Sequence, residues 1–257
     1  MSDEVRILKL TKKKKNYIIT TDEKEYIFDE DTIVEFGLFK DKVFSKTQFK
    51  EILKKRDANN SFNLALKYLS ISIKSQNEVE KYLEKKDINK SIINKTIIRL
   101  RQFGYLDDKT YALKLLQYYQ SSNKGPQFIS KKLYDKKIDR KIIESTMASF
   151  TEDIEKAIIN KTLAKEANKY KEYPILKQRQ VLSDKLIRNG FTPSLVFSII
   201  REYDLIDESH NKLLLDIEKQ KRLLANKDLT DSQKKQKIMQ SLVSKGYDYH
   251  KISSLLE

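Results

Sequence analysis

The sequence contains no cysteine and, among its 257 residues, only two histidines, five glycines and three prolines. Without thiols the chain can form neither disulfides nor cysteine-ligated metal sites, and thiolate catalysis is excluded.

His210 and His250 have no partner at the spacing of a metal site or a catalytic triad, so we interpret them as surface or hydrogen-bonded residues. Asp107 and Asp108 stand at the start of a helical segment, where carboxylates cap free N–H groups more often than they hold a metal. The glycines are too few for phosphate-binding loops, and no P-loop or G-x-G-x-x-G motif occurs. We therefore expect a protein without enzymatic activity, cofactor or metal.

Long apolar runs are missing as well. No run approaches the roughly 18 residues that a membrane-spanning helix requires, and the opening MSDEVRILKL lacks the apolar core of a signal peptide. We therefore expect a cytoplasmic protein that makes no membrane contact. Hydrophobic residues account for 39% of the chain, which is enough for a core in one elongated domain or in several small ones.

One short pattern occurs four times along the chain. The pattern L-x-x-[KN]-x-[IFY] reads LEKKDI, LYDKKI, LIRNGF and LVSKGY, and it starts at Leu83, Leu133, Leu186 and Leu242. Other apolar residues keep fixed distances from it, four positions before the leucine and five and nine positions after the last residue of the pattern. They are Val79, Ile129, Leu182 and Ile238, then Ile93, Ile143, Val196 and Ile252, then Ile97, Met147, Ile200 and Leu256. Such spacings place apolar side chains on one helix face, so each occurrence predicts two helices joined by a turn.

The turn of each unit has one position suited to a left-handed backbone. Gly190 and Gly246 occupy it in the last two units, where glycine adopts that conformation at low cost and ends the helix. Asp87 and Lys137 occupy the same position in the first two units. Those two turns must therefore use a less favourable residue or another kind of cap.

A further helical segment precedes each pair, which gives three helices per unit. These segments cover residues 65–69, 111–116, 154–167 and 213–224. Units of this kind bury apolar faces against their neighbours, so they form an extended array with a long surface rather than a pocket. The predicted repeats comprise residues 61–106, 107–150, 151–205 and a divergent 206–257.

The first 60 residues have a different pattern. Short β-branched and aromatic segments predict a small antiparallel meander with strands at residues 7–10, 17–21 and 26–29. The lysines at 12–15 are expected in a hairpin loop. Residues 32–56 have a helical pattern, with Ser45 or Thr47 as a candidate N-cap. Three strands are not stable alone, so we expect them to pack on this helix or on the first repeat. The boundary with the repeats is predicted at residues 57–61, and the fold class is mainly α.

Positive charge is concentrated in the first two repeats. The chain has 52 lysines and arginines against 37 aspartates and glutamates, a net charge of +15, and residues 61–150 hold 18 of the basic and 9 of the acidic residues. This excess favours polyanionic partners such as nucleic acid or acidic protein surfaces, although single lysines can simply hydrate an exposed helix face. The candidate binding residues are Lys74, Lys81, Lys85, Lys86, Arg99, Arg101, Lys124, Lys131, Lys132, Lys136, Lys137 and Arg140.

Four tyrosines are interleaved with these charges. Tyr105 and Tyr111 stand in apolar register, so we expect them to pack in the core. For Tyr118 and Tyr119 the sequence leaves two alternatives, which are core packing and stacking on bases or on a protein partner.

The order of several motifs resembles the RecX family, which regulates the RecA recombinase. The motifs are SxxEVxxYL at residues 75–83, YLDDKTYA at residues 105–112, and KGP at residues 124–126 followed by Ile129 and Leu133. The resemblance is strong over residues 61–150 and weaker elsewhere, and the N-terminal extension is similar to that of the longer form found in Gram-positive bacteria. Lys74 stands where the family usually has arginine, and lysine lacks the bidentate fork of a guanidinium.

The resemblance implies a curved array of three-helix repeats that lies in the groove of a RecA filament on single-stranded DNA. It implies that the protein blocks filament growth, lowers the ATPase and strand-exchange activities of the recombinase, and also binds single-stranded and double-stranded DNA directly. We expect a monomer. Two alternatives stay open, a regulator that binds DNA directly without a recombinase partner and a scaffold that binds only proteins.

Overall fold

The computed structural model describes residues 3–14 and 16–256. The described chain is mainly α-helical, with a small antiparallel sheet near the N-terminus. The residues group into two compact units. The first unit comprises Met1–Tyr111 and Lys136–Ile138, and the second unit comprises Ala112–Asp135 and Asp139–Glu257. The predicted fold class, three-helix repeats preceded by a small sheet, is confirmed, while the boundaries between the repeats stay a prediction.

The sheet has four strands in the order β3-β2-β1-β4, and every neighbouring pair is antiparallel. The strands are β1 (Glu4–Lys13), β2 (Asn16–Thr21), β3 (Glu25–Asp29) and β4 (Val43–Ser45). Val5 and Ile7 of β1 are buried and alternate with exposed residues, as the period of a strand requires. Phe49 and Ile52 of the long helix that follows belong to the same hydrophobic cluster. The expectation that the sheet packs on its helix is therefore confirmed.

The hairpin between β1 and β2 is shorter than expected. Lys12 and Lys13 are paired within β1 rather than in the loop. Lys14 turns the chain with a φ of +57°, and Lys15 lies outside the described residues.

The segment between the meander and the repeats differs from the sequence interpretation in two ways. It begins as a helix, α1 (Glu30–Phe36), but residues 43–45 form β4, because pairing with the open edge of β1 satisfies backbone groups that a short helix would leave unbonded. The next helix, α2 (Lys46–Leu69), runs without interruption through the predicted boundary, which contains no glycine or proline to end it. Its N-cap is Ser45, as predicted, in a capping box with Gln48.

The C-terminal part of α2, whose Phe62 and Ala65 share a core with α3 and α4, and the remaining helices build the repeats. The remaining helices are α3 (Gln76–Glu84), α4 (Lys90–Gln102), α5 (Asp108–Ser121), α6 (Pro126–Asp135), α7 (Arg140–Met147), α8 (Glu152–Glu166), α9 (Ile175–Arg188), α10 (Pro193–Glu202), α11 (His210–Leu224), α12 (Asp231–Ser244) and α13 (Tyr249–Leu256). A 3-10 turn, Ala167–Tyr170, extends α8. Local caps fix several starts, because Ser75 and Thr230 form capping boxes and Asn89 and Asp139 cap α4 and α7.

The repeated apolar residues lie in the cores. The four leucines that open the pattern are at most 1% exposed. The residues four positions before the leucine, and those five positions after the last residue of the pattern, are buried in every repeat. At the position nine residues after the end of the pattern, Ile97 and Ile200 are buried. Met147 and Leu256 are only partly buried at that position, because α7 and α13 end there. The sequence pattern therefore marks the faces that pack together.

All four turn residues adopt the left-handed conformation. The φ angles are +57° at Asp87, +55° at Lys137, +88° at Gly190 and +93° at Gly246. The next residue donates its N–H to the leucine carbonyl, with N···O distances of 3.2 Å in the pairs Ile88–Leu83, Phe191–Leu186 and Tyr247–Leu242. The first two repeats thus use the same left-handed turn as the last two, but with a residue for which that conformation is less favourable.

One turn in the second unit fits closely against the start of another helix. Gly125 and Gln127 donate their N–H groups to the carbonyls of Asn189 and Gly190 at 2.9 and 3.0 Å. A Cβ atom on Gly125 would lie 2.4 Å from the Gly190 backbone, and one on Gly190 would lie 2.3 Å from the nitrogen of Phe128. The two backbones can approach this closely because both positions are glycine.

Candidate nucleic-acid and partner interface

The twelve basic residues predicted to bind a partner occupy both compact units. Those in the first unit are Lys74, Lys81, Lys85, Lys86, Arg99, Arg101, Lys136 and Lys137, and those in the second unit are Lys124, Lys131, Lys132 and Arg140. Their charged groups contact aromatic rings, side-chain amides, carboxylates or water.

Two of these lysines flank a pair of stacked tyrosines in the first unit. The rings of Tyr68 and Tyr82 are parallel to within 5° at a centroid distance of 4.2 Å. Lys74 Nζ lies 5.0 Å from the centroid of the Tyr68 ring, and Lys86 Nζ lies 5.9 Å from that of Tyr82. A ring face attracts an ammonium group within about 6 Å. The stack therefore holds two positive charges at the surface of α2 and α3.

A related arrangement surrounds Phe128 near the start of α6 in the second unit. Lys124 Nζ and Lys132 Nζ lie 5.0 and 5.4 Å from the centroid of its ring. Lys124 also donates a hydrogen bond to Asn189 Oδ1 at 2.8 Å. Tyr119 packs edge-on against the same ring at 5.2 Å. Both ammonium groups are consequently positioned by one aromatic side chain.

Arg99 and Arg101 lie in the last turn of α4, where cations complement the helix dipole. The guanidinium carbon of Arg99 lies 4.1 Å from the centroid of the Phe62 ring, and Arg99 Nη1 donates to Asn59 Oδ1 at 3.2 Å. Arg101 Nη1 reaches Gln76 Oε1 at 3.5 Å. Arg99 is held by neutral partners, so its charge is available to an anion, whereas the charge of Arg101 also interacts with the Asp108 carboxylate.

Lys136 and Arg140 contact carboxylates instead. Lys136 Nζ lies 2.5 Å from Glu78 Oε1, and Arg140 Nε lies 2.7 Å from Glu144 Oε1. Burial opposes ionisation of Glu78, but the hydrogen bonds from Lys136 and from the Ser75 N–H outweigh it, so the pKa of Glu78 lies below its ordinary value of 4.5. Lys136 therefore has a structural role in addition to the binding role predicted for it.

Four candidates extend into water. Lys81, Lys85, Lys131 and Lys137 are exposed, and in the described part of the chain no carboxylate lies within 4.0 Å of their ammonium groups. A phosphate or an acidic side chain could pair with each of them without displacing a partner inside the protein.

The two neighbouring aspartates cap helices, as the sequence predicts. Asp107 accepts the N–H groups of Lys109 and Thr110 at 2.9 and 3.2 Å at the start of α5, and Asp108 accepts the Gln76 N–H at 2.8 Å at the start of α3. The hydrogen bond from the Thr110 hydroxyl holds the pKa of Asp107 below its ordinary value, and burial raises the pKa of Asp108.

His210 and His250 are both exposed. Within residues 3–14 and 16–256, no cluster of three or more histidine or acidic side chains could hold a metal ion. No helix in that part of the chain combines the length and the apolar character needed to cross a bilayer.

The tyrosines divide between core and surface. Tyr111 is 6% exposed, as expected, but Tyr105 is 56% exposed, and its predicted core position is wrong. The reason is that α4 ends at Gln102 and Gly104 reverses the chain with a φ of +72°, which breaks the apolar register before Tyr105. Tyr118 is 63% exposed and packs edge-on against Tyr119, at a centroid distance of 5.1 Å.

Sequence reasoning missed the rings that position the lysines. Tyr68, Tyr82 and Phe128 each precede an apolar residue of the same helix, namely Leu69, Leu83 and Ile129. Leu83 and Ile129 are fully buried and Leu69 packs against the core. A side chain next to a core position lies at the edge of the core, beside the charged face. In a sequence, an aromatic residue next to a core position therefore indicates a ring that can position a nearby lysine.

The chain is similar to known proteins over nearly its whole length. A family model described as RecX, first three-helix domain, matches residues 62–100. Regulatory protein RecX of Streptococcus pneumoniae (strain Hungary19A-6) is 34% identical over 263 aligned positions, which cover 98% of this chain and 98% of the relative. The protein of the same name from strain CGSP14 is 32% identical over 262 positions, again with 98% of both chains covered.

Two crystal structures share the fold. A structure of regulatory protein RecX matches with a TM-score of 0.63 and 24% identity, covering 77% of this chain and all of its own. RecX from Lactobacillus salivarius matches with a TM-score of 0.54 and 28% identity, covering 57% of this chain and 96% of its own.

Proposed function

We propose that this chain, which belongs to the RecX family, is a non-enzymatic regulator that inhibits a RecA-type recombinase by binding along the groove of its filament on DNA. Its relation over 98% of its length to proteins named regulatory protein RecX carries the proposal. By this action in the cytoplasm the protein would modulate homologous recombination and DNA repair.

The repeats suit a partner that is itself repetitive. The first two repeats each present a set of basic residues, so successive repeats can contact successive subunits of a filament, whereas a pocket could address only one. Lysines held on aromatic rings have already lost part of their side-chain freedom, which lowers the entropy cost of binding. The same cations can meet acidic protein patches and DNA phosphates.

The test is the ATPase activity of the recombinase on single-stranded DNA. We expect the purified protein to slow ATP hydrolysis at well below one molecule per recombinase subunit, because one inhibitor that blocks filament growth affects many subunits. An unchanged hydrolysis rate at an equimolar ratio would reject the proposal.

The alternative is a regulator that acts on nucleic acid directly, without a recombinase. The excess of nine positive charges over residues 61–150 favours it. A salt titration separates the two functions. Binding to bare DNA through phosphates weakens steeply with salt, whereas binding to a recombinase filament should keep a component that depends weakly on salt. Binding to recombinase in the absence of DNA contact would instead indicate a protein scaffold.

A further inference from the structure

Three aromatic rings lie together where α4 ends. Phe62 of α2 is buried, and the rings of Phe103 and Tyr105 pack edge-on against it at centroid distances of 6.0 and 6.4 Å. Phe103 and Tyr105 are themselves 6.4 Å apart. They remain 62% and 56% exposed, although the core lies directly beneath them. Much of two large aromatic side chains is thus left in contact with water.

The backbone fixes this exposure. Gly104, between the two residues, has a φ of +72°. The Tyr105 N–H donates a hydrogen bond to the Leu100 carbonyl, with an N···O distance of 2.9 Å. Leu106, the next residue, is 3% exposed and anchors the chain in the core. The tight turn and its buried anchor therefore hold both rings at the surface in the folded state.

Positive charge lies beside the rings. The guanidinium carbon of Arg99 is 5.8 Å from the centroid of the Phe103 ring and 4.1 Å from that of the Phe62 ring. Within the described residues no carboxylate lies within 4.0 Å of the Arg99 guanidinium, which donates to the neutral side chain of Asn59. The two acids that follow, Asp107 and Asp108, are engaged in capping α5 and α3. One guanidinium group, that of Arg99, therefore lies beside the exposed rings.

We propose that Phe103 and Tyr105 form a stacking platform for unpaired bases of single-stranded nucleic acid, and that Arg99 binds an adjacent phosphate. Every base has a face that can stack on an aromatic ring, and cations next to such rings neutralise the backbone. A purely apolar protein segment would offer no anion to the Arg99 charge. Paired bases conceal their faces, so the platform distinguishes single strands from duplexes. This inference rests on the proposed function, because it names the part of the surface that contacts the DNA strand.

The chain contains no tryptophan, so a single introduced indole reports on its own surroundings. Phe103→Trp places this reporter in the platform, and Phe39→Trp is the matched control, since Phe39 is 52% exposed and lies outside the ring cluster. We expect an oligothymidylate to quench the fluorescence of the first variant and not that of the second. An abasic strand of equal length should quench neither. Binding of oligothymidylate, seen by anisotropy, without quenching at position 103 would overturn the platform, and so would equal quenching by the abasic strand.

Affinity gives an independent readout. The double variant Phe103→Leu/Tyr105→Leu keeps apolar bulk but removes both rings, and Phe39→Leu is its control. We expect the double variant to bind oligothymidylate about tenfold or more weakly, from the usual worth of base stacking, with abasic-strand affinity and helical circular dichroism unchanged. Unchanged oligothymidylate affinity would overturn the inference.

Recombinase inhibition separates this inference from the proposed function. If the double variant keeps its affinity for oligothymidylate but no longer slows recombinase ATP hydrolysis, the rings contact protein, and the platform is rejected while the proposed function stands. If the unmodified protein does not inhibit the recombinase but the Phe103→Trp variant shows base-dependent quenching, the proposed function fails and the platform is retained.

Discussion

Glu78 Oε1 and Lys136 Nζ lie 2.5 Å apart although the two residues are 58 positions apart in the sequence. Through its other carboxylate oxygen Glu78 accepts the Ser75 N–H at 3.0 Å, so one side chain joins the start of α3 to the turn between α6 and α7. The Ser75 hydroxyl also reaches the Lys136 carbonyl at 3.4 Å. A capping box within the first repeat is thereby extended to a residue of the second repeat.

Lys136→Met should destabilise the protein. The substitution keeps the aliphatic length but leaves the partly buried Glu78 carboxylate without its cation, and we expect a loss of about 1–2 kcal/mol in the free energy of unfolding, after allowance for the exposed part of the ion pair. Urea unfolding followed by circular dichroism measures it. Lys131→Met, an exposed residue of α6, is the control and should change stability by less than about 0.5 kcal/mol. Equal effects of the two substitutions would show that the ion pair contributes nothing.

The same pair predicts a pH dependence. The pKa of Glu78 is lower in the folded protein than its ordinary value of 4.5, so the folded state gains stability from the ionised carboxylate above that value and loses it as the pH falls through the folded pKa. The stability difference between the unmodified protein and Lys136→Met should therefore be complete at neutral pH and shrink below about pH 4.5. A difference that stayed constant down to pH 3 would contradict this assignment.

Lys137→Gly should stabilise the protein. Lys137 has a φ of +55°, where a side chain costs roughly 1–2 kcal/mol and glycine costs little, although glycine also gains freedom in the unfolded chain. We expect a net gain of about 1 kcal/mol, measured by urea unfolding. Asp87→Gly at the equivalent position should gain less, because aspartate tolerates this conformation better than lysine does. A larger gain for Asp87→Gly than for Lys137→Gly would show that the backbone conformation does not dominate the stability effect at these turns.

Much of the fold could be predicted because its determinants are local. The spacing of apolar residues around Leu83 and Leu186 sets which helix faces are buried, and a turn such as that at Gly190 needs only its own residues to adopt a left-handed conformation. Caps such as Ser45 and Asp107 likewise bond within three residues. These features follow from intervals of three and four along the chain, which the sequence displays directly.

The features that escaped prediction depend on distant residues. Three residues at β4 became a strand because an unpaired edge of β1 was nearby, and a helical pattern cannot show that edge. The same limit applies to the candidate site. No spacing rule reveals that Lys136 forms an ion pair with Glu78 while Lys131 is exposed to water, because these contacts form only when the helices pack together.

Gly190→Ala should be far more damaging than Gly104→Ala. Both glycines have positive φ angles, +88° and +72°, so both substitutions carry a backbone cost of about 1–2 kcal/mol. The space around them differs, since a Cβ atom on Gly190 would lie 2.3 Å from the Phe128 nitrogen, whereas nothing lies within 4 Å of one on Gly104. The clash should add at least a further 1–3 kcal/mol. Similar unfolding midpoints for the two variants would show that the backbones around Gly190 move apart at little cost.

Charge reversal at the lysines that extend into water tests the predicted interface without disturbing the fold. Lys81→Glu, Lys85→Glu and Lys131→Glu, combined in one variant, remove no ion pair within the described residues, so the unfolding free energy should fall only by about 1 kcal/mol, because Lys81 and Lys85 lie at the C-terminal end of α3, where a negative charge opposes the helix dipole. If these residues bind phosphates, affinity for single-stranded DNA should fall at low salt. The slope of log K against log salt concentration should also become shallower by about 0.7 for each phosphate that the variant no longer neutralises.

The matched control applies the same charge change outside the candidate set. Lys219, Lys221 and Lys235 are exposed residues of α11 and α12, and their reversal to glutamate alters the net charge of the protein by the same amount. Charges far from a bound strand are screened beyond roughly 10 Å at 0.1 M salt, so this control should keep most of its affinity and its salt slope. If both variants lose affinity equally, DNA responds to the total charge of the protein, and the three candidate lysines have no special place in the interface.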